Sequence, residues 1–328
     1  MGGKNMNESN WKRRIIDLRF PMDHSAMMAI LDEFVTRYPG ISVTVLGQSI
    51  LGRAIPMVHL GASESTSKPR RVLYLGAHHG MEWITASVLL RFINEYCELL
   101  RSDGMAEGIR VKRLEESCEI DVVPMLNPDG VEYAIHGVSA DNPLRDRLLR
   151  MNGGSVDFSH WQANARGVDL NHNYNAGFAE YKQLEADAGI AGGAPTRFSG
   201  EAPESEPETA YLCNYLRFSE PYGGVLTLHT QGEEIYAGGT DAAERIGRRL
   251  ASSTGYTLTR PAGLAAYGGF TDWFVREFGR PSFTVECGRG SNPLPASDMP
   301  MIYLKLRRAL FEFPMLVQSS ADGLNRSN

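Results

Sequence analysis

The strongest constraint on this chain is a set of short segments whose apolar residues follow one another without the alternation of a half-solvated strand. They are "RVLYLGA" at 71–77, "CEIDVVPML" at 118–126, "GGVLTLHT" at 223–230 and "PSFTVE" at 281–286. A strand that is apolar on both sides has to be covered on both sides, which is the situation of central strands in a parallel sheet flanked by helices. Segments with helical spacing separate them: "ITASVLLRFINEYCELL" after the first, "SEPETAYLCNYLRF" before the third, "AAERIGRRLASS" and "FTDWFVREF" before the fourth. This order predicts a single α/β domain with a mixed, mostly parallel twisted sheet and helices on both faces.

The rest of the chain fits the same plan. "DHSAMMAILDEFVTRY" carries Met27, Ile30, Leu31 and Phe34 at helical spacing and is stopped by "YPG". Two short strands, "ISVTVLG" and "AIPMVHL", are joined by "QSILGR", and "MPMIYLKLRRALFEFPMLV" reads as a C-terminal helix. "NPDG" reads as a turn, residues 140–200 as a long loop-rich stretch, and Ser205 with Glu208 as a capping box that tolerates Pro207 in the first turn. With no repeat and no low-complexity linker, residues 11–320 are expected to form one domain, with flexible tails at 1–10 and 321–328.

Charge and targeting signals narrow the function. The net charge is −6, and no basic run marks a nucleic-acid or lipid surface, so neither partner is expected. The first 20 residues lack the apolar core of a secretory signal, and Met6 fails the Ser/Thr position of a myristoylation motif. No stretch reaches the roughly 18–20 apolar residues that a membrane span needs. Cys97, Cys118, Cys213 and Cys287 show no CxxC spacing and are expected to be buried free thiols. The expected location is cytoplasmic.

In sheets of this kind, ligands bind beyond the carboxyl ends of the strands. His79 and Glu82 follow the end of the first apolar run, His229 ends the third, and Glu286 ends the fourth. His79 and Glu82, three apart, place an imidazole and a carboxylate on one face of a helical turn. A catalytic zinc takes three protein ligands and leaves a position open, so a close pair plus a distant third ligand suits it, and His229 is the best third candidate. Taken alone the His-x-x-Glu pair is weak, and core histidines are the plain alternative; the strand-terminal groups strengthen it. His78 should point away from His79 by strand alternation and serve packing or support the ligands from behind. His24, His59, His136 and His160 belong to no constellation and are assigned to packing or surface.

At this point a family resemblance becomes explicit. "GAHHGMEW", "MLNPDGVEY", "ARGVDLNHNYN", "SEPET", "LTLHTQGEEIY", "GGFTDW" and "FTVECGRGSNPLP", in this order, resemble the zinc carboxypeptidase family over residues 40–318. "HTQGEEIY" and "ECGRGSNPLP" look most like the bacterial branch of γ-D-glutamyl-meso-diaminopimelate endopeptidases. The resemblance implies one zinc per chain, held by His79, Glu82 and His229, with Glu286 as general base and acid. It implies that Asp169 hydrogen-bonds the first zinc histidine, and such a carboxylate fixes the tautomer and raises ligand basicity.

The departures from the family pattern are as informative. The arginine that grips a free C-terminal carboxylate is replaced by His172, although Asn171 beside it is kept, and an imidazole lacks the bidentate guanidinium fork. The position of the oxyanion arginine falls on Gln162, with Arg166 nearby as a substitute. The mobile tyrosine's place falls on Leu264, with Tyr267 as a second option; Met81 stands where some relatives carry a substrate-binding arginine. Thr271 puts a polar group where the family tunes its side-chain pocket, and Arg289 is placed either to clamp a substrate carboxylate or to pair with a protein acid. These features predict a peptidase that cleaves the γ-D-glutamyl-diaminopimelate amide of muropeptides. The alternatives are an ordinary metallocarboxypeptidase and a non-catalytic muropeptide-binding protein.

Overall fold

Strand β3 (Arg70–Leu75) explains the architecture. Val72, Leu73, Tyr74 and Leu75 are all fully buried, but they enter two different cores. Val72 and Tyr74 pack with residues of the helices Ile84–Arg101 and Met299–Leu316 on one face of the sheet. Leu73 and Leu75 pack with Leu212, Phe270, Trp273 and Phe274, from the helices Pro207–Phe218 and Phe270–Phe278, on the other. Each such side chain contributes about 1.5–3 kcal/mol on burial, so a strand with no polar face is stable only between two helical layers. The computed structural model describes residues 20–61, 70–260 and 267–317. The expected tails 1–10 and 321–328, and Leu264, lie outside the described residues.

Around β3 runs one mixed sheet. In chain order its members are β1 (Ser42–Gln48), β2 (Ala54–Gly61) and β3, then, after a small hairpin of β4 (Met105–Ala106) and β5 (Ile109–Arg110), β6 (Cys118–Val123), β7 (Gly224–His229), β8 (Glu234–Ala237), β9 (Thr257–Thr259) and β10 (Ser282–Glu286). The eight-stranded order is β1-β2-β6-β3-β7-β10-β8-β9. The four apolar runs seen in the sequence are its four central strands, all mutually parallel. β1, β2 and β8 attach antiparallel on the flanks, and β9 runs parallel to β8. The molecule is a single α/β domain with helices on both faces, as expected.

Two local expectations are corrected. "NPDG" begins a helix rather than a turn: Asn127 Oδ1 accepts from the Gly130 N–H at 2.9 Å and Pro128 takes the first helical position of Pro128–His136. The capping box at Ser205 and Glu208 is not formed. Glu206 is the N-cap residue, and buried Asn173 serves that end, its Oδ1 accepting from Glu206 N–H at 3.2 Å and Thr209 Oγ1 at 2.6 Å. The 140–200 stretch is loop-rich, as expected, and carries two α-helices, Arg145–Met151 and Phe178–Asp187, a short 3₁₀ turn at Leu170–His172, and part of a third small core around Tyr133, Phe158 and Trp161. No helix among the described residues is long and apolar enough to cross a membrane, and the four cysteines are buried and unpaired.

Candidate metal centre

The site is built where β3 stops. Gly76 continues the ladder, its N–H donating to Val123 O at 3.0 Å, and Asn127 then holds the turn by donating from Nδ2 to His78 O at 3.0 Å and Gln162 O at 3.1 Å. Gly80 is required by close approach rather than by its dihedral angles. A Cβ there would lie 2.3 Å from Gly130 O, and its N–H donates to Gln162 O at 2.9 Å. Thr85 closes the turn, with Oγ1 accepting from Ala77 N–H and donating to Glu82 O, both at 2.8 Å. The backbone carrying His79 and Glu82 is therefore tied on both sides before either side chain is considered.

His229 arrives from β7, where its carbonyl accepts from Cys287 N–H at 2.7 Å. The three side chains converge: His79 Nδ1 lies 3.0 Å from Glu82 Oε1, His229 Nδ1 lies 3.1 Å from Glu82 Oε2, and the two Nδ1 atoms are 3.4 Å apart. Glu82 and His229 are almost completely buried and His79 is 12% exposed, toward the cleft. Two nitrogens bound to one tetrahedral zinc at 2.0–2.1 Å stand about 3.3 Å apart, so the spacing suits that ion. Electrostatics agrees. Burial alone would keep His79 neutral, but the carboxylates of Glu82 and Asp169 overcome it and raise its pKa well above the ordinary range. Burial likewise works to raise Glu82, yet the two imidazoles hold it down to about 2. The cluster is one that demands positive charge at its centre.

Asp169 lies behind His79, with Oδ1 3.2 Å from Nε2. It is itself held by Asn171 N–H at 3.2 Å and Arg197 N–H at 2.9 Å. Burial favours its neutral form, but the imidazoles of His79 and His172 and the Arg197 N–H keep it well below the usual carboxylate range. With Nδ1 facing the cluster, Nε2 of His79 is the nitrogen beside this anion, which favours the tautomer a metal ligand needs. His78 is buried, stacked on His229 with ring centroids 5.2 Å apart and with Nε2 3.0 Å from the Tyr174 hydroxyl, so it packs behind the centre as expected.

Glu286 ends β10 in register with His229. It lines a cavity of about 170 Å³ together with His79, Asn171, His172, Thr271 and Asp272, and with Tyr236 and Thr284 on the wall. Burial, then the Glu82 charge, pushes the Glu286 carboxyl up to about 8. Asn171 Oδ1 accepts from Phe270 N–H at 3.2 Å, which leaves its NH₂ end for the cavity. His172 is stacked on Tyr181 at 4.2 Å, with Nδ1 3.0 Å from Tyr267 O. Tyr267, Arg166 and Arg289 are not among the residues lining this cavity. Arg166 lies 3.6 Å from Glu206, and Arg289 donates from Nε to Glu233 at 2.8 Å. Gln162, at the oxyanion-arginine position, is engaged by the Thr196 hydroxyl.

Sequence reasoning missed Asp272, Tyr236 and Thr284. Asp272 was in view in "TDW" beside Thr271; Tyr236 sits on a short strand that the pattern did not mark. His136 also needs correction, because it does have neighbours of metal-ligand type. Asp23, Glu132 and His136 bring donor atoms within 4.8 Å of one another on the surface. There Glu132 already accepts from His24 N–H at 3.0 Å, and Asp23 caps Ala26 N–H at 2.8 Å.

The profile of the family described as zinc carboxypeptidase matches residues 27–307. The chain belongs to the zinc carboxypeptidase family. It is a zinc metallopeptidase with one zinc, for which the His79–Glu82–His229 cluster is the matching site. Among curated relatives, γ-D-glutamyl-L-diamino acid endopeptidase 1 of Lysinibacillus sphaericus is 33% identical over 294 residues, 88% of this chain and 71% of that protein. The uncharacterised protein YqgT of Bacillus subtilis is also 33% identical, over 88% of this chain and 77% of its own length. Among solved structures, thrombin activatable fibrinolysis inhibitor has the same fold at TM-score 0.70 and 18% identity, covering 92% of this chain and 75% of that one. Murein-tripeptide amidase MpaA from Escherichia coli O157 aligns at TM-score 0.51 and 21% identity, over 82% of this chain and 91% of that one.

Proposed function

We propose that this member of the zinc carboxypeptidase family hydrolyses the amide between the γ-carboxyl of D-glutamate and meso-diaminopimelate in peptidoglycan-derived peptides. The observation that carries the reading is the lining of the cavity beside Glu286. Among the described residues that form it there is no arginine or lysine, whereas Asp272, Thr271, Thr284, Asn171 and His172 are polar or acidic. A strict carboxypeptidase needs a cationic grip on a terminal carboxylate; this cavity suits the ammonium of the zwitterionic diaminopimelate side chain, whose carboxylates are recognised outside this wall. The similarity to the Lysinibacillus γ-D-glutamyl-L-diamino acid endopeptidase supports the same substrate class.

His79, Glu82 and His229 would hold the zinc. When bound, the ion supplies Lewis acidity, polarising the scissile carbonyl and bringing the pKa of water toward about 7. Glu286, at the cavity wall, takes the proton from the attacking water and returns it to the leaving amine. A carboxyl raised by burial holds such a proton well, and a neighbouring dication offsets part of the rise, which brings the group toward neutral pH. Asp169 keeps His79 in the tautomer that leaves Nδ1 free to bind. Asn171 offers its NH₂ end to a substrate oxygen. Four unpaired cysteines support a reducing compartment, and we assign the enzyme to the cytoplasm on that ground.

The test incubates the zinc-loaded protein with L-Ala-γ-D-Glu-meso-diaminopimelate and, separately, with a blocked dipeptide ending in L-Phe. The first is expected to be cleaved, with kcat about 10²–10⁴-fold lower in Glu286→Gln. Cleavage of the second alone would overturn the substrate assignment. Binding of the muropeptide without turnover by the unaltered protein would favour a non-catalytic binder.

A further inference from the structure

A second cavity lies at the opposite ends of the strands that carry the metal centre. Its lining includes Gly223 and Pro281, which immediately precede β7 and β10, the strands that finish in His229 and Glu286. At about 3.3 Å per residue the two sites are separated by the length of a strand, roughly 16 Å. The cavity measures about 550 Å³, and its lining includes three arginines, Arg245, Arg249 and Arg280. Ala242, Ile246, Pro281 and Leu316 supply an aliphatic wall.

Two of the three charges are unpaired. Arg249 is bonded to Glu312, with Nε at 2.6 Å, but Arg245 and Arg280 have no ion pair or hydrogen bond among the described residues. Arg245 and Arg249 are four apart on the helix Asp241–Thr254 and so share one face, where like charges destabilise each other. Arg248, on the same helix, lies outside this cavity and is answered by Glu244 at 3.1 Å. The chain as a whole is acidic, with a net charge of −6, so this concentration of unanswered positive charge is not a reflection of its composition. Arginine forks match the oxygen geometry of phosphate and carboxylate groups and lose little order in binding them.

We propose that this cavity is a binding site for a small multivalent oxyanion, a molecule carrying two or more phosphate or carboxylate groups. Arg245 and Arg280 provide the primary contacts, and Arg249, steadied by Glu312, provides the third. The volume accommodates more than a single inorganic phosphate, and the aliphatic wall accommodates a compact carbon skeleton between the charged groups. Because the site lies a strand length from the zinc ligands, its occupancy is independent of the zinc and of the peptide substrate.

The proposal is tested by titration calorimetry on the full chain with two probes, inorganic pyrophosphate and citrate, which separate phosphate from carboxylate recognition. At least one probe should bind with a Kd below about 1 mM. The affinity should weaken at least tenfold in the double variant Arg245→Gln/Arg280→Gln and stay unchanged in Arg248→Gln. Thermal unfolding checks that each variant is folded. A further readout needs no substitution: affinity should fall as salt rises from 20 to 200 mM, as expected for partly exposed charges, and should be the same after the zinc is stripped. Equal loss in Arg248→Gln, failure of both probes to bind, or binding that disappears with the zinc would each overturn the proposal.

Discussion

Replacing Asp169 by asparagine alters one atom in a site with little room to adjust. Both carboxylate oxygens now accept: Oδ2 from Arg197 N–H at 2.9 Å, and Oδ1 from Asn171 N–H at 3.2 Å while lying 3.2 Å from His79 Nε2. An amide has one acceptor. If its oxygen stays toward Arg197, the NH₂ group faces two N–H donors, those of Asn171 and His79. If it turns toward His79, the Arg197 N–H loses its partner. Either way a buried donor is left unsatisfied at about 1–3 kcal/mol, and a hydrogen bond to a charged group, worth about 1.5–3 kcal/mol, is lost. In the first orientation His79 is also driven to the tautomer with its proton on Nδ1, the atom that faces Glu82 and His229. Zinc affinity and kcat/KM should therefore each fall about 10–100-fold. Affinity is read by competition against a chromophoric chelator, and folding by near-ultraviolet circular dichroism. A folded variant whose zinc Kd and kcat/KM both stay within twofold of the parent would refute the reasoning.

Three further outcomes are expected. Gly80→Ala places a Cβ 2.3 Å from the backbone oxygen of Gly130, where no side-chain rotation relieves the clash, so the turn between His79 and Glu82 must move. Stability should drop by about 1–3 kcal/mol and zinc binding should weaken with it, as measured by urea unfolding and chelator competition; unchanged values for both would contradict the packing described. Glu208 is fully buried, its Oε1 lacks a partner, and burial, with Asp129 and Glu206 adding to it, pushes its carboxyl from 4.5 up to about 8. The folded state thus keeps a proton that the unfolded state releases, so this group's contribution is whole below about 4.5 and is lost as pH rises through 8. Urea unfolding between pH 6 and 9 should show a shallower decline in Glu208→Gln than in the parent, and parallel curves would refute the assignment. Asp272→Asn should lower kcat/KM on the diaminopimelate peptide by about tenfold or more, the value of one charge-assisted contact, mostly through KM. A peptide whose leaving residue has a neutral side chain should be little affected, and an equal loss on both would remove Asp272 from ammonium recognition.

What was legible in the sequence follows from the range over which each signal acts. The four central strands declare themselves because a strand buried on both faces has no choice of residue type, as Val72 to Leu75 show. The metal ligands are legible because they occupy strand ends and one short spacing, positions that local geometry defines. β8 and β9 are short and lie on the flank of the sheet, and with residues such as Glu234 and Thr257 they carry no comparable pattern. The Ser205–Glu208 pattern failed because Asn173, 33 residues before Glu206, reaches the helix end first, and no local rule anticipates a competitor from that distance. The same holds for the arginines. Arg166 and Arg289 are near the site in sequence, yet each faces an acid, Glu206 and Glu233, supplied by another segment. With His172 at the position where the family resemblance implies a carboxylate-gripping arginine, the described wall of the cavity carries no arginine or lysine, and Asp272 stands there beside Glu286. Under the proposed function, that one exchange moves the cavity from gripping a terminal carboxylate toward receiving the ammonium of a zwitterionic leaving residue.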